Sequence, residues 1–173
     1  DPDKSFPWEV IKKGLQLGFG TILIPEKYGG YGGGPLDAAL LAEELSWGDV
    51  GIAAIFSVTN GLARVLSLAG SEEQKEKWLR AMCEDKSGTF IVAGAYSEPT
   101  GGSEILCPLP DTELGVRTTA VRDGNEYMIN GAKVFTTNAG VAKLYLVLAR
   151  TDKTVPNMES CSLFLVLADT PGL

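Results

Sequence analysis

Histidine is absent from this sequence of 173 residues. Its absence excludes the Ser-His and Cys-His pairs that many hydrolases use for nucleophilic catalysis. It also removes a principal ligand of zinc and haem. The three cysteines, Cys83, Cys107 and Cys161, lie far apart and match no metal-binding or redox spacing. We therefore expect no metal site, and we expect the protein to occupy a reducing compartment.

Positive charge is also scarce. The chain has 15 lysines and arginines against 22 acidic residues, which gives a net charge of -7, and it contains no basic run. A phosphate backbone would be repelled, so nucleic-acid binding is not expected. An anionic cofactor would have to be held by local backbone amides and hydroxyl groups.

A long apolar run over residues 50–69 is interrupted only by polar positions such as Asn60 and Arg64. A membrane span needs about 20 apolar residues, but an arginine near its centre is costly in lipid. The run is therefore predicted to form two short buried helices that break near Asn60 and Gly61. The first residues carry neither an initiator methionine nor a signal peptide, so we expect the chain to start inside a longer one.

The helical patterns all fall in the first half of the chain. Pro35 is predicted to begin an amphipathic helix that turns its glutamates outward. Ser71 and Gln74 are predicted to form a capping box at the start of another helix. The helical pattern ends in the polar segment 83–88, so residues 1–86 are assigned to a helical domain and residues 87–173 to a β domain.

The second half has the alternation and turn pairs of a sheet. Asp123-Gly124 and Asn130-Gly131 are typical of hairpins, so the strands should be largely antiparallel. The fold class is therefore α+β, a helical domain followed by a mainly antiparallel β-barrel or sandwich. The predicted strands cover residues 89–96, 115–122, 126–130, 134–138, 144–150 and 162–167.

A candidate cofactor loop follows the first predicted strand, over residues 93–104. Gly101 and Gly102 would let the backbone approach a ligand closely, and Ser97 and Ser103 supply hydroxyl groups. Ordinary turn chemistry explains the same residues equally well, so this stretch alone does not decide between the two interpretations.

A second stretch favours the cofactor-loop interpretation over an ordinary turn. It runs from Asn130-Gly131 to an aromatic residue followed by two threonines and an asparagine, Phe135-Thr136-Thr137-Asn138. Together with Ser97-Glu98-Pro99 and Gly102-Ser103-Glu104, it resembles the acyl-CoA dehydrogenase family, in which Thr-Glu-Pro and Gly-Ser-Asp precede Asn-Gly, a basic residue and Trp-Ile-Thr-Asn. The resemblance covers nearly all of the chain.

This resemblance implies oxidation of an acyl-CoA thioester to the trans-2-enoyl thioester by FAD. The backbone and hydroxyl around Ser97 would meet the pyrimidine side of the flavin, and the Thr137 hydroxyl would lie near N5. Phe135 would cover a ring face, and Ser103 would lie by the pyrophosphate and the CoA part of the substrate. The implied cofactor-binding residues are Gly94, Tyr96, Ser97, Gly102, Ser103, Phe135, Thr136 and Thr137. For Thr136 and Thr137, ordinary strand packing is the alternative that the paired motif outweighs.

The resemblance also implies how the substrate and partners are bound. Phe56 and Val58 would contact the acyl chain, although core packing explains these apolar residues equally well. No residue matches the family's catalytic carboxylate, so no catalytic residue is assigned, and Glu98 is expected to order its loop instead. The implied partners are acyl-CoA, an electron-transferring flavoprotein and further copies in a dimer or tetramer, in a bacterial cytoplasm or the mitochondrial matrix.

Three departures from the family pattern leave alternatives open. Ser97 replaces threonine, Glu104 replaces aspartate, and residues 105–114 form an apparent insertion that is either a surface loop or a determinant of specificity. The chain is expected to be an inactive fragment that binds FAD weakly or not at all. The alternative function is a flavin- or acyl-CoA-binding module, or a flavoprotein oxidase or monooxygenase of the same fold that acts on a different substrate.

Overall fold

The computed structural model describes residues 5–102 and 115–173. The four longer helices precede the strands along the chain, which confirms the predicted order of a helical part and a β part. The helices are α1 (Trp8–Gln16), α2 (Pro35–Gly48), α3 (Val50–Ala69), α4 (Glu72–Glu84) and the short α5 (Asn157–Ser160). The strands are β1 (Val92–Ala95), β2 (Thr119–Asp123), β3 (Glu126–Asn130), β4 (Leu144–Arg150) and β5 (Cys161–Leu167).

The contacts divide the chain into two compact units. The helical unit comprises Asp1–Val92 and Gly140–Lys143, and the β unit comprises Ala93–Ala139 and Leu144–Leu173. The helical unit therefore includes a short segment from late in the chain, Gly140–Lys143, in addition to its first 92 residues. No local sequence pattern indicates this. The domain boundary assigned after residue 86 stays a prediction.

Helix α3 is continuous, so the predicted break near Asn60 and Gly61 is wrong. Asp49 caps its first turn, because Oδ1 accepts a hydrogen bond of 2.9 Å from the Ile52 amide. The Asn60 side chain does not interrupt the helix but donates from Nδ2 to the carbonyl oxygens of Phe19 and Phe56. Asn60 thus serves as a buried tie to the chain after α1, which periodicity alone cannot distinguish from a helix breaker.

By length and composition, α3 would be able to cross a membrane, and 44% of its most apolar window is buried inside the protein. Eight of its residues are buried, which confirms the predicted core role for one face: Ala53, Ile55, Phe56, Thr59, Asn60, Leu62, Ala63 and Leu66.

The ends of the neighbouring helices follow ordinary capping chemistry. The predicted capping box of α4 is confirmed, because Ser71 Oγ accepts from the Gln74 amide at 3.2 Å and Gln74 Oε1 accepts from the Ser71 amide at 2.9 Å. Helix α2 begins at Pro35 as predicted, but none of its residues is buried. Its apolar side chains Leu36 and Trp47 are 71% and 85% exposed.

The β unit contains a mixed sheet with the strand order β1-β4-β2-β3, and β5 also pairs with β4. The β2–β3 and β4–β5 pairs are antiparallel, whereas β2 meets β4 in parallel at Thr119 and Arg150. The β2–β3 hairpin turns at Gly124, whose φ of 59° favours glycine. Six of the seven residues of β4 are buried, because it lies inside the sheet.

The strand predicted over residues 134–138 is wrong. Phe135 forms a bend, Thr137 and Asn138 lie in a turn, and Val134 and Thr136 have no regular secondary structure. Phe135 and Asn138 have positive φ angles of 56° and 70°, and a left-handed residue cannot continue a strand ladder. The predicted hairpin at Asn130-Gly131 is therefore replaced by an irregular segment that leaves the sheet.

Candidate functional site

The turn after β1 is closed by backbone hydrogen bonds. The Glu98 amide donates to the Gly101 carbonyl oxygen at 2.8 Å, and the Gly101 amide donates back to the Glu98 carbonyl oxygen at 3.1 Å. Pro99 and Thr100 are exposed at the tip of this turn. The turn is thus closed by its own backbone and presents its tip to solvent.

Gly102 lies against the side chain of Ser97. A Cβ added to Gly102 would lie 3.1 Å from Ser97 Oγ, which is closer than ordinary packing allows. Glycine therefore permits the half-buried Ser97 hydroxyl to lie beside the backbone of its own loop.

The segment after β3 meets this loop directly. The Val134 amide donates to the Ser97 carbonyl oxygen at 2.9 Å, and Lys133 Nζ donates to the Tyr96 carbonyl oxygen at 3.0 Å. The two motif stretches identified in the sequence therefore lie side by side in the β unit. We call the two stretches together, residues 94–102 and 131–138, the paired segments.

The Glu98 side chain holds the paired segments to the start of β2. Glu98 is buried, and its carboxylate accepts from the Arg117 and Thr118 amides at 2.7 and 2.8 Å and from Lys133 Nζ at 2.8 Å. Burial raises the pKa of Glu98, but the lysine and the hydrogen bonds outweigh it and hold that pKa below its ordinary value. This confirms the prediction that Glu98 orders its loop.

The lead-in to β2 is fixed in turn by a buried asparagine. Asn157 Oδ1 accepts from the Val116 amide at 2.8 Å, and the side chain of Asn157 is fully buried. Arg150 Nε donates to Ser160 Oγ at 2.9 Å, which braces the loop that carries Asn157. These contacts position the two amides that Glu98 binds.

A groove of about 910 Å³ runs along the β unit beside the paired segments. Thr136, Lys133 and Ala95 line it near those segments, and apolar residues of the sheet extend it away from them. The sheet residues that line the groove include Tyr127, Ile129, Tyr145, Val147, Phe164 and Val166.

The predicted flavin-binding residues differ in their exposure and in whether they line the groove. Gly94, Tyr96 and Ser97 are half-buried, and burial raises the pKa of Tyr96. Thr136 lines the groove, whereas Thr137 is exposed and does not line it. Ser103, Glu104, Cys107 and the insertion at 105–114 lie outside the described residues.

The two predicted acyl-binding residues belong to the helical unit. Phe56 is 1% exposed, and its ring packs edge-on against Phe19 with the centroids 5.8 Å apart. Val58 is half-buried on the same helix. Phe56 is therefore part of the core of this unit, and contact of either residue with a substrate stays a prediction.

The sequence patterns do not indicate the ion pair of Glu98 with Lys133. They give no role to Lys133, and they predict only that Glu98 orders its loop. Their positions are 35 residues apart, so no local spacing brings them together. The sequence does contain a signal for this pair: one motif has an acidic residue and the other has a basic residue, and the two segments are expected to converge.

Phe135 is the most unusual residue of the paired segments. Its side chain is 94% exposed and its φ is 56°. Left-handed backbone is strained for a bulky residue, and such strain concentrates at functional sites. The exposed ring is therefore held where packing within the β unit does not require it.

This strain predicts a difference between two substitutions of Phe135. Phe135→Gly should be more stable than Phe135→Ala by about 0.5–1 kcal/mol, because glycine alone adopts this φ freely. Chemical denaturation of both variants measures the difference. Equal stabilities would show that the left-handed backbone is unstrained. Because the ring is exposed, either substitution should lose little packing energy.

Comparison with known proteins identifies both parts of the chain. A family model described as acyl-CoA dehydrogenase, N-terminal domain, matches residues 1–86, and one described as acyl-CoA dehydrogenase, middle domain, matches residues 93–173. A probable medium-chain specific acyl-CoA dehydrogenase 2, mitochondrial, of Caenorhabditis briggsae is 38% identical over 176 residues, which cover 100% of this chain and 40% of that protein. The chain thus spans well under half of this relative.

Two solved structures are also similar to nearly the whole chain. Butyryl-CoA dehydrogenase from Megasphaera elsdenii matches with a TM-score of 0.83 and 34% identity, covering 99% of this chain and 43% of that one. PigA, in a structure with FAD and proline, matches with a TM-score of 0.83 and 30% identity, covering 99% and 42%.

Proposed function

The chain belongs to the acyl-CoA dehydrogenase family, and from this premise we propose that the full-length protein carrying it is an FAD-dependent enzyme that oxidises an acyl-CoA to its 2-enoyl thioester. The observation that carries the proposal is the contact between the paired segments, in which the Val134 amide donates to the Ser97 carbonyl oxygen. Two separate hydroxyl-bearing motifs thereby converge within one β unit.

The residues of the paired segments fit the chemistry of a flavin. Ser97, Thr136 and Thr137 carry hydroxyl groups that both donate and accept, as the nitrogen and carbonyl groups of an isoalloxazine edge require. Gly102 leaves room for the Ser97 side chain, because a Cβ at this position would lie 3.1 Å from Ser97 Oγ. FAD, when bound, would accept the hydride that leaves the β-carbon of the substrate.

In this proposal the paired segments would bind and orient the cofactor. The Ser97 hydroxyl and the nearby backbone of Gly94, Tyr96 and Gly102 would meet one edge of the flavin. The Thr137 hydroxyl would lie near N5, Thr136 would contact the cofactor from the groove, and the exposed Phe135 ring would cover one face. Ser103 is assigned to the pyrophosphate and the CoA part of the substrate.

The proton at the α-carbon must leave to a base that we do not assign to this chain. Glu98 is unsuited to that task, because its carboxylate already accepts hydrogen bonds from two amides and from Lys133. A base needs a free carboxylate oxygen within reach of the proton that it removes.

Substrate and partners follow from the same proposal. Phe56 and Val58 are assigned to the end of the acyl pocket, and electrons pass from the flavin to an electron-transferring flavoprotein. The enzyme works as a dimer or tetramer in a bacterial cytoplasm or the mitochondrial matrix. In this proposal the isolated chain of 173 residues would be inactive and would bind FAD weakly or not at all.

Anaerobic mixing of the full-length protein with a panel of acyl-CoAs tests the proposal. We expect the flavin absorbance to bleach on mixing with at least one of them. Thr137→Ala should weaken FAD binding by about two- to tenfold, the worth of one hydrogen bond. Thr119→Ala, a half-buried strand threonine of the same unit, is the control and should leave FAD binding unchanged. A tightly flavin-loaded protein that no acyl-CoA bleaches would refute the reaction.

A second candidate function is favoured by the match to PigA, whose structure contains FAD and proline. In that case the same fold would oxidise a substrate that is not an acyl-CoA. The two candidates are separated by the panel itself, because bleaching by a free or carrier-bound amino acid and by no acyl-CoA would select the second.

A further inference from the structure

Glu98 and Lys133 join three separate backbone segments of the β unit. The carboxylate of Glu98 receives the amides of Arg117 and Thr118 from the lead-in to β2. Lys133 Nζ, 2.8 Å from Glu98 Oε1, also donates to the Tyr96 carbonyl oxygen at 3.0 Å. We call this pair and its backbone partners the Glu98–Lys133 clasp.

Both charged side chains of the clasp are buried. The Lys133 side chain is 10% exposed and the Glu98 side chain is 4% exposed. A buried ion pair contributes little net stability compared with an apolar pair of the same size, and its best-attested use is to fix one geometry among several. The clasp is therefore better explained by the backbone geometry that it fixes than by the stability that it adds.

The segment after β3 lacks the strand pairing that would otherwise fix its position. In the part of the chain that the structure describes, residues 131–143 belong to no strand, so no sheet ladder fixes their place. The Val134 amide meets the Ser97 carbonyl oxygen directly beside the clasp. Phe135 follows immediately, with its left-handed backbone and exposed ring.

We propose that Glu98 and Lys133 are positioning residues that hold the Ser97 loop and the Phe135–Thr137 segment at one fixed separation, so that both meet the same flavin. The clasp takes the place of the missing strand ladder. It also keeps the Glu98 charge paired with Lys133 instead of leaving it unbalanced beside the cofactor. This inference rests on the proposed function.

The test uses Lys133→Met, with Lys133→Arg as the charge-conserving variant. Lys143→Met is the matched control, because Lys143 Nζ lies 3.5 Å from Asp85 Oδ1 in an ion pair of the helical unit whose lysine is 45% exposed. Two measurements are made on the full-length protein: hydrogen exchange of the Val134 amide without flavin, and the dissociation constant for FAD.

We expect Lys133→Met to accelerate exchange at Val134 by about 100-fold while the amides of the β2–β3 hairpin keep their protection. The dissociation constant for FAD should rise by about tenfold or more, as expected when a supporting contact is lost. Lys133→Arg should stay within about threefold of wild type, and Lys143→Met should not differ from it.

Each outcome bears on the inference. Unchanged exchange at Val134 would overturn it, because the clasp would not set the backbone. Faster exchange with unchanged FAD affinity would overturn it as well, because the position would not matter to the flavin. A wild-type protein that binds no FAD would overturn the proposed function, whereas normal affinity in Lys133→Met beside a wild type that binds FAD would overturn this inference alone.

Discussion

Replacing Glu98 with alanine is expected to lower the free energy of unfolding by about 3–5 kcal/mol. The change leaves Lys133 as a buried charge without its carboxylate, and it leaves the Arg117 and Thr118 amides without the acceptor that they now share. Denaturant titration of the wild-type and Glu98→Ala chains measures the loss. Glu76→Ala, which removes an exposed partner of Arg80, is the control and should change the midpoint little.

The same loss should depend on pH in one direction. Because the pKa of Glu98 is lowered in the folded state, its contribution is fully present above the ordinary carboxyl pKa of 4.5 and is lost as the pH falls below it. The stability gap between wild type and Glu98→Ala should therefore narrow in acid. A gap that stayed constant well below that pH would show that the carboxylate is not the stabilising group.

Replacing Phe56 with alanine is the second large effect, a loss of about 3–5 kcal/mol. The ring is 1% exposed, it packs edge-on against Phe19, and it fills the space beside Gly14, where a Cβ would collide with it. Removing it opens a cavity among helices that cannot collapse fully. Thermal or chemical unfolding of the chain measures the loss.

Gly61→Ala in the same helix is the matched comparison. A Cβ at this position would meet no atom within 4 Å, so the change should raise the free energy of unfolding by about 0.5–1 kcal/mol through helix propensity. The two substitutions should thus have opposite signs within α3. A loss of stability in Gly61→Ala would mean that the helix is interrupted there, as the sequence had suggested.

Local chemistry explains where sequence-based prediction succeeded. Ser71 and Gln74 lie three residues apart, and their capping box depends on those residues alone. Prediction failed where distant contacts override propensity. The residues around Asn60 suggested a break, yet Asn60 completes its hydrogen bonds to backbone carbonyl oxygens, and one of these lies outside its own helix. The residues 134–138 suggested a strand, yet Phe135 and Asn138 adopt left-handed backbone.

The amino-acid sequence by itself determined the order of helices and strands, the family pattern and the two hydroxyl-bearing stretches, because these depend on residue types at short spacings. The tertiary structure alone decided that the stretches are held by the Glu98–Lys133 clasp and not by a strand ladder. The reason is physical: an ion pair between residues 35 positions apart forms only after the backbone has brought the two side chains together and removed both from water.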